Sequence, residues 1–213
     1  MDLFFKNVKD DYECFLNENN KSNCVKINIV LASNSEVGKT AFILRLMNRN
    51  YNYYMEEARD LRPFGISDIF DSYSLAFNHK DIIAELHIWD TQWLNSISCG
   101  FDKNLLKNTD IVFLFYDSYV KRTFETIKES IIFFNKKRRA NIIFALIRNK
   151  YDKKRNYNFR NEEVSEEEAL EFADKYNMLF FHLSLHEKYE TGIKELFETV
   201  LNEYIIRKKI RCI

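Results

Sequence analysis

The chain has 213 residues, 46% apolar and 30% charged, which suits one domain with a substantial core. Its 32 basic and 32 acidic residues cancel, so no global field favours nucleic acid or an acidic partner. No run approaches the ~18–20 apolar residues of a membrane span, Met1–Lys6 lacks the pattern of a signal peptide, and the four cysteines (Cys14, Cys24, Cys99, Cys212) show no C-x-x-C spacing. The expectation is a reduced, cytoplasmic protein without a zinc site.

Residues 1–24 read as an N-terminal extension, with a helical turn expected at Asp10–Phe15 and a polar linker over Asn17–Asn23; no chemistry is assigned there. Val25–Ala32 is apolar at alternate positions and then continuously, as a strand burying both faces would be. Ser33-Asn34-Ser35-Glu36-Val37-Gly38-Lys39-Thr40 follows, and the unbroken Ala41–Met47 then reads as a helix. The octapeptide fits the phosphate-binding pattern G-x-x-x-x-G-K-[ST] with Ser33 in place of the first Gly. Such a loop turns backbone N–H groups toward an anion at a helix N-terminus. Lys39 would reach the β- and γ-phosphates, and the Thr40 hydroxyl would coordinate Mg²⁺. An exposed loop lysine is the bland alternative.

Asn48–Ser72 is long, polar and aromatic, broken only by Pro63 and Gly65. Ser72–Phe77 and Ile82–Trp89, joined across Asn78–Asp81, read as a hairpin. Its second strand delivers Asp90 at the C-terminal end, where ligands bind in open α/β sheets, so Asp90 could hold a Mg²⁺ water; capping the next turn is the equal alternative. Ile111–Tyr116 reads as a buried strand. Lys121–Arg138 carries Phe124, Ile127, Ile131 and Phe134 on one helical face. Asn141–Ile147 reads as a further strand, leading into Asn149-Lys150-Tyr151-Asp152. A carboxylate such as Asp152 accepts from both N1–H and the exocyclic amine of guanine, and adenine offers no such donor pair. The Lys150 stem would lie over the base, and Asn149 would tie this loop to the phosphate loop. A solvated turn is the alternative. Ser165–Glu168 is a capping box opening a helix to about Tyr176; Met178–Ser184 is the last strand and Ile193–Ile206 the last helix. Strand–helix alternation predicts an α/β fold with a mainly parallel sheet, helices on both faces and one antiparallel strand.

These stretches together resemble the small Ras-like GTPases, nearest the Rab branch, over roughly residues 25–206. Ser33–Thr40, the Trp-Asp-Thr of Trp89–Thr91, Asp110–Asp117, Asn149–Asp152, Ser184-Leu185-His186 in place of Ser-Ala-Lys, and Gly192–Phe197 carry the resemblance. It implies a three-layer P-loop NTPase fold, a G domain with a six-stranded sheet, binding GDP or GTP with Mg²⁺. It also implies a switch in vesicle traffic or signalling that works through effector and regulatory proteins. Ser33–Thr40 would hold phosphates; Asn149, Lys150, Asp152, Ser184, Leu185 and His186 the guanine; Thr40, Asp90 (through water) and Ser67 the metal.

The departures fall where hydrolysis and switching are done. Glu36 replaces a Gly whose position favours φ > 0, costing about 1–2 kcal/mol. Asp90-Thr91-Gln92-Trp93-Leu94 stands for Asp-Thr-Ala-Gly-Gln, so Trp93 and Leu94 occupy the γ-phosphate-sensing and water-positioning places, and Gln92 is the one catalytic candidate. Ser67 is the best counterpart of the switch Thr. Residues 207–213 form a short basic tail, and Cys212-Ile213 is no prenylation signal, which leaves membrane association at most peripheral. Two readings follow: a divergent GTPase switch with weak or absent intrinsic hydrolysis, or a pseudo-GTPase scaffold that binds nucleotide statically or not at all. His87, His182 and His186 read as core or surface residues rather than metal ligands.

Overall fold

The computed structural model describes residues 5–7, 24–34, 36–46, 71–79, 82–91, 107–137, 141–149, 163–185 and 192–208. The elements in chain order are β1 (Phe5–Asn7), β2 (Cys24–Ala32), α1 (Lys39–Leu46), β3 (Asp71–His79), β4 (Ile82–Thr91), β5 (Ile111–Asp117), α2 (Lys121–Lys137), β6 (Ile143–Asn149), α3 (Glu166–Lys175), β7 (Leu179–Leu183) and α4 (Ile193–Lys208). One sheet holds all seven strands in the order β1-β3-β4-β2-β5-β6-β7.

Five neighbouring strands, from β4 to β7, run parallel. β3 pairs antiparallel with β4, as the hairpin reading expects, with Leu75 opposite Leu86. β1 pairs antiparallel with β3, so β3 is the one strand that runs against the rest. The sheet therefore has one strand more than the six expected. The additional one comes from the N-terminal extension, where Phe5 lies opposite Phe77.

The inner strands show why their sequences are almost wholly apolar. All seven residues of β5 and all seven of β6 are buried. Along β5, Ile111, Phe113 and Phe115 face one core, and Val112, Leu114 and Tyr116 face another on the opposite side of the sheet. The first core is closed by Phe42, Ile43 and Leu46 of α1 and by Leu196, Phe197 and Val200 of α4. The second is closed by Phe124, Ile127 and Ile131 of α2 and by Ala169 and Phe172 of α3. Helices thus cover both faces, and the three-layer architecture follows from the period-2 alternation of the strands meeting the helical stripes. Phe42 sits at the middle of the first core, 5.2 Å from the Phe115 ring and stacked on Phe197 at 6.1 Å, which anchors the helix that follows the phosphate-loop sequence.

Helix ends carry the expected chemistry. Ser165 caps α3, its Oγ accepting from Glu168 N at 3.1 Å. Asn177 follows α3 with φ 52, a left-handed conformation common just past a helix. α4 runs to Lys208, two residues beyond the sequence expectation. Its end is held by Arg207 Nε donating to Glu203 Oε1 at 2.6 Å and by the Lys208–Asp110 ion pair at 3.1 Å. Among the described residues no helix is long and apolar enough to cross a membrane.

Candidate functional site

The parallel strands β2, β4, β5 and β6 deliver their C-terminal residues to one end of the sheet. Ala32 lies opposite Thr91 and Leu114, and Asp117 opposite Asn149. Ser33–Thr40 leaves that end of β2 and turns into α1, whose first helical bond is donated by Phe42 N to Gly38 O at 2.9 Å.

Within this loop the backbone and the side chains divide the work. Glu36 has φ 64, the left-handed conformation that the family pattern assigns to Gly, and its side chain is exposed. Gly38 has φ +107, and a Cβ there would meet Asn149 Nδ2 at 2.3 Å, so the close approach of β6 to the loop requires glycine. Asn149 Nδ2 donates to Val37 O at 2.7 Å with both groups buried. That bond joins the Asn-Lys-x-Asp stretch to the phosphate loop, the tie expected from sequence.

Lys39 is buried, and its Nζ donates to Ser33 Oγ at 2.9 Å and Asn34 O at 2.9 Å, with Ser33 O at 3.5 Å. Burial lowers its pKa from the ordinary lysine value, and the charge of Asp90 offsets part of that shift. Asp90 therefore lies within electrostatic reach of the loop, at the end of β4 opposite Leu31. Thr40 is exposed in the first turn of α1. Asn34 reaches sideways, donating from Nδ2 to Thr126 Oγ1 of α2 at 3.1 Å.

On the other side of Asn149, Ser184 and Leu185 follow β7. Ser184 is buried, and Leu185 Cδ1 lies 3.6 Å from the position a Cβ on Gly38 would take. Arg45 of α1 donates from Nε to Leu185 O at 3.3 Å. Arg45 is a contributor that sequence reading missed, because nothing in its spacing links it to a segment 140 residues away.

The structure thus brings Ser33, Asn34, Glu36, Val37, Gly38, Lys39, Thr40, Asp90, Asn149, Ser184 and Leu185 to one end of the sheet. Ser35, Ser67, Gln92, Trp93, Leu94, Lys150, Asp152 and His186 lie outside the described residues. His87 and His182 face carboxylates, Glu85 at 3.0 Å and Glu166 at 3.3 Å. A polar cavity of about 380 Å³ opens at the opposite end of the sheet, among Asn28, Thr109, Asp110, Asn141 and Lys208. Asp110 is already committed there, to Asn28 N at 3.1 Å and to Lys208.

Two buried polar atoms test whether a nucleotide suits the first end. Among the described residues Asn149 Oδ1 and Ser184 Oγ have no hydrogen-bond partner, and buried polar atoms in folded proteins almost always have one. Asn149 packs against the glycine that lets the loop approach, and both atoms are of a type that a polar ligand edge can satisfy. For Mg²⁺ the oxygen donors of Thr40 and Asp90 are of the right type. Among the described residues no cluster of three or more His, Cys, Asp or Glu forms. A few protein oxygens completed by phosphate oxygens is the usual way a protein holds Mg²⁺.

Comparison with known proteins points to one family. The family model described as the Ras family matches residues 28–206. Ras-related protein Rab-2B of Dictyostelium discoideum is 27% identical over 182 residues, covering 84% of this chain and 80% of that protein. GTP-binding protein ypt5 of Schizosaccharomyces pombe is 25% identical over 190 residues, covering 88% and 83%. Ras-related protein Rab-19 of Homo sapiens is 26% identical over 182 residues, covering 85% and 76%.

Proposed function

The chain belongs to the Ras family of small GTPases, and from that premise we propose that it binds GDP and GTP with Mg²⁺ at the C-terminal ends of β2, β4 and β6. The bond from Asn149 to Val37 O carries the reading, because it holds the guanine-motif strand against the phosphate loop.

In this proposal the backbone N–H groups of residues 35–40 and the N-terminus of α1 receive the phosphates. Lys39 supplies a positive charge to them, and burial keeps water from screening it. Asn149 Oδ1 and Ser184 Oγ gain their missing partners at the base side, and Asp152 selects guanine by accepting two N–H bonds. Thr40 and Asp90 are the residues that would hold Mg²⁺, which would supply positive charge to the phosphates.

Intrinsic hydrolysis is weak or absent, because Leu94 and Trp93 stand where water positioning and γ-phosphate sensing are done, and neither side chain can orient a water. The exposed Glu36 carboxylate adds negative charge beside the phosphate position and weakens binding further. As a switch, the protein acts through effector and regulatory proteins in vesicle traffic or signalling, with at most peripheral membrane association. A second reading, an interaction scaffold on the same fold, is favoured by one observation: Lys39 is already hydrogen-bonded inside its own loop.

Titration of nucleotide-stripped protein with fluorescent GDP and GTP, with and without Mg²⁺ and beside Asp152→Ala, separates the two. Mg²⁺-sensitive binding that Asp152→Ala abolishes supports the nucleotide-binding reading, and single-turnover hydrolysis then measures the residual rate. No binding, or binding indifferent to Asp152→Ala, leaves the scaffold.

A further inference from the structure

An ammonium group has three N–H donors. Those of Lys39 are met inside the phosphate loop itself: Ser33 Oγ and Asn34 O each at 2.9 Å, and Ser33 O at 3.5 Å. Ser33 Oγ in turn donates to Asn34 O at 2.9 Å, so hydroxyl, carbonyl and ammonium close a small ring. Ser33 is fully buried, which shields the ring from water. Its hydroxyl is an acceptor that a glycine at this position would not provide.

We propose that Ser33 is an internal competitor for the phosphate ligand: its hydroxyl accepts a hydrogen bond from Lys39 Nζ, and a phosphate oxygen gains that N–H donor only by displacing the hydroxyl. The inference rests on the phosphate-site reading above. Ser33 is a positioning residue, acting on phosphate through Lys39.

Backbone strain does not explain the residue. Among the described non-glycine residues only Glu36 and Asn177 have positive φ, so position 33 does not demand glycine. The side chain is therefore tolerated without distortion, and its effect is confined to the bond it makes. A bond from a cation to a hydroxyl is stronger than one between neutral groups. It stabilises the nucleotide-free protein and opposes binding by a comparable amount, because the Ser33 Oγ–H to Asn34 O bond survives in both states while the Lys39 bond survives in one. Removing the hydroxyl should move stability and affinity in opposite directions. A residue that merely shapes the loop would move both the same way.

The test uses the full chain, stripped of nucleotide, as wild type, Ser33→Ala, Ser33→Gly, Lys39→Met and the Ser33→Ala/Lys39→Met double variant. Fluorescent GDP at fixed Mg²⁺ is the probe. Ser33→Ala and Ser33→Gly should each bind GDP about tenfold more tightly than wild type. Ser33→Ala should also lower the Tm of the nucleotide-free protein, and the drop should vanish in the Lys39→Met background. Wild-type binding that is unchanged or weakened in both Ser33 variants overturns the inference and leaves the nucleotide site standing. A Tm drop of the same size in both backgrounds overturns it too, since the hydroxyl would then act without Lys39. Absence of GDP binding in wild type, Ser33→Ala and Ser33→Gly alike overturns the nucleotide site and the inference with it.

Discussion

The two halves of the candidate site are prepared differently. On the base side, Asn149 Oδ1 and Ser184 Oγ are buried with no partner among the described residues, while Asn149 Nδ2 is fixed to Val37 O. On the phosphate side, Lys39 is buried with its donors already met by Ser33 and Asn34. Leaving buried polar atoms unpaired costs about 1–3 kcal/mol each, so the base side gains from any ligand that supplies partners. The phosphate side gains only what exceeds the bonds it gives up. On the proposed reading, such a site would draw its selectivity from the base and hold phosphates less tightly than an intact glycine-rich loop.

The largest expected effect comes from cutting the bond between the halves. Asn149→Ala leaves the buried Val37 carbonyl without its donor and should destabilise the protein by about 1–3 kcal/mol in urea titrations. GDP affinity should fall by about 10- to 100-fold, at 1.4 kcal/mol per decade. Stability lost with affinity intact would mean that the two halves do not act as one site.

A smaller effect separates strain from charge. Glu36 and Asn177 both hold positive φ, one in the phosphate loop and the other behind α3. Glycine at either place should stabilise by up to about 1 kcal/mol, the relief of left-handed strain less the entropy glycine adds to the unfolded chain. Glu36→Gly should in addition tighten GDP binding, whereas Asn177→Gly should not. Equal affinities in the two variants would remove Glu36 from the account of the phosphate side.

How legible these features were depended on how locally they are encoded. The buried strands β5 and β6 announced themselves because residues apolar on both faces have no other use in a sheet covered by helices. The Ser165 cap was legible because its partner, Glu168, lies three residues away. The positive φ of Glu36 followed from its place in the loop pattern. β1 was not legible: Phe5–Asn7 is too short to show a period and is a strand only through its pairing with β3. The ring of Ser33, Asn34 and Lys39 was hidden for a different reason, since sequence gave the serine a missing glycine to stand for but no acceptor role. Arg148 is similar, buried at a strand end by pairing with Glu163 at 3.2 Å and Glu166 at 3.6 Å, a network assembled only when α3 packs against the sheet.

The smallest effect is a trend with pH. The folded protein lowers the Lys39 pKa, so between that lowered value and the unfolded 10.5 the unfolded chain binds more protons. Stability from this group therefore rises as pH rises through that window, is lost as pH falls back through it, and is flat below the lowered value, where both states are protonated. The stability difference between wild type and Lys39→Met, measured without nucleotide by urea titration at several pH values, should shift in favour of wild type toward pH 10.5. A difference that stays flat with pH would mean the lysine is not buried as the structure has it.

The central claim is that the joined halves form a guanine-nucleotide site, and calorimetric titration of the stripped protein with GDP and with ADP in Mg²⁺ buffer tests it most directly. The account predicts saturable GDP binding, with ADP weaker by about a hundredfold or more, because adenine has no N1–H beside its amine for Asp152 to accept from. Equal affinities for the two, or no heat with GDP, would contradict it.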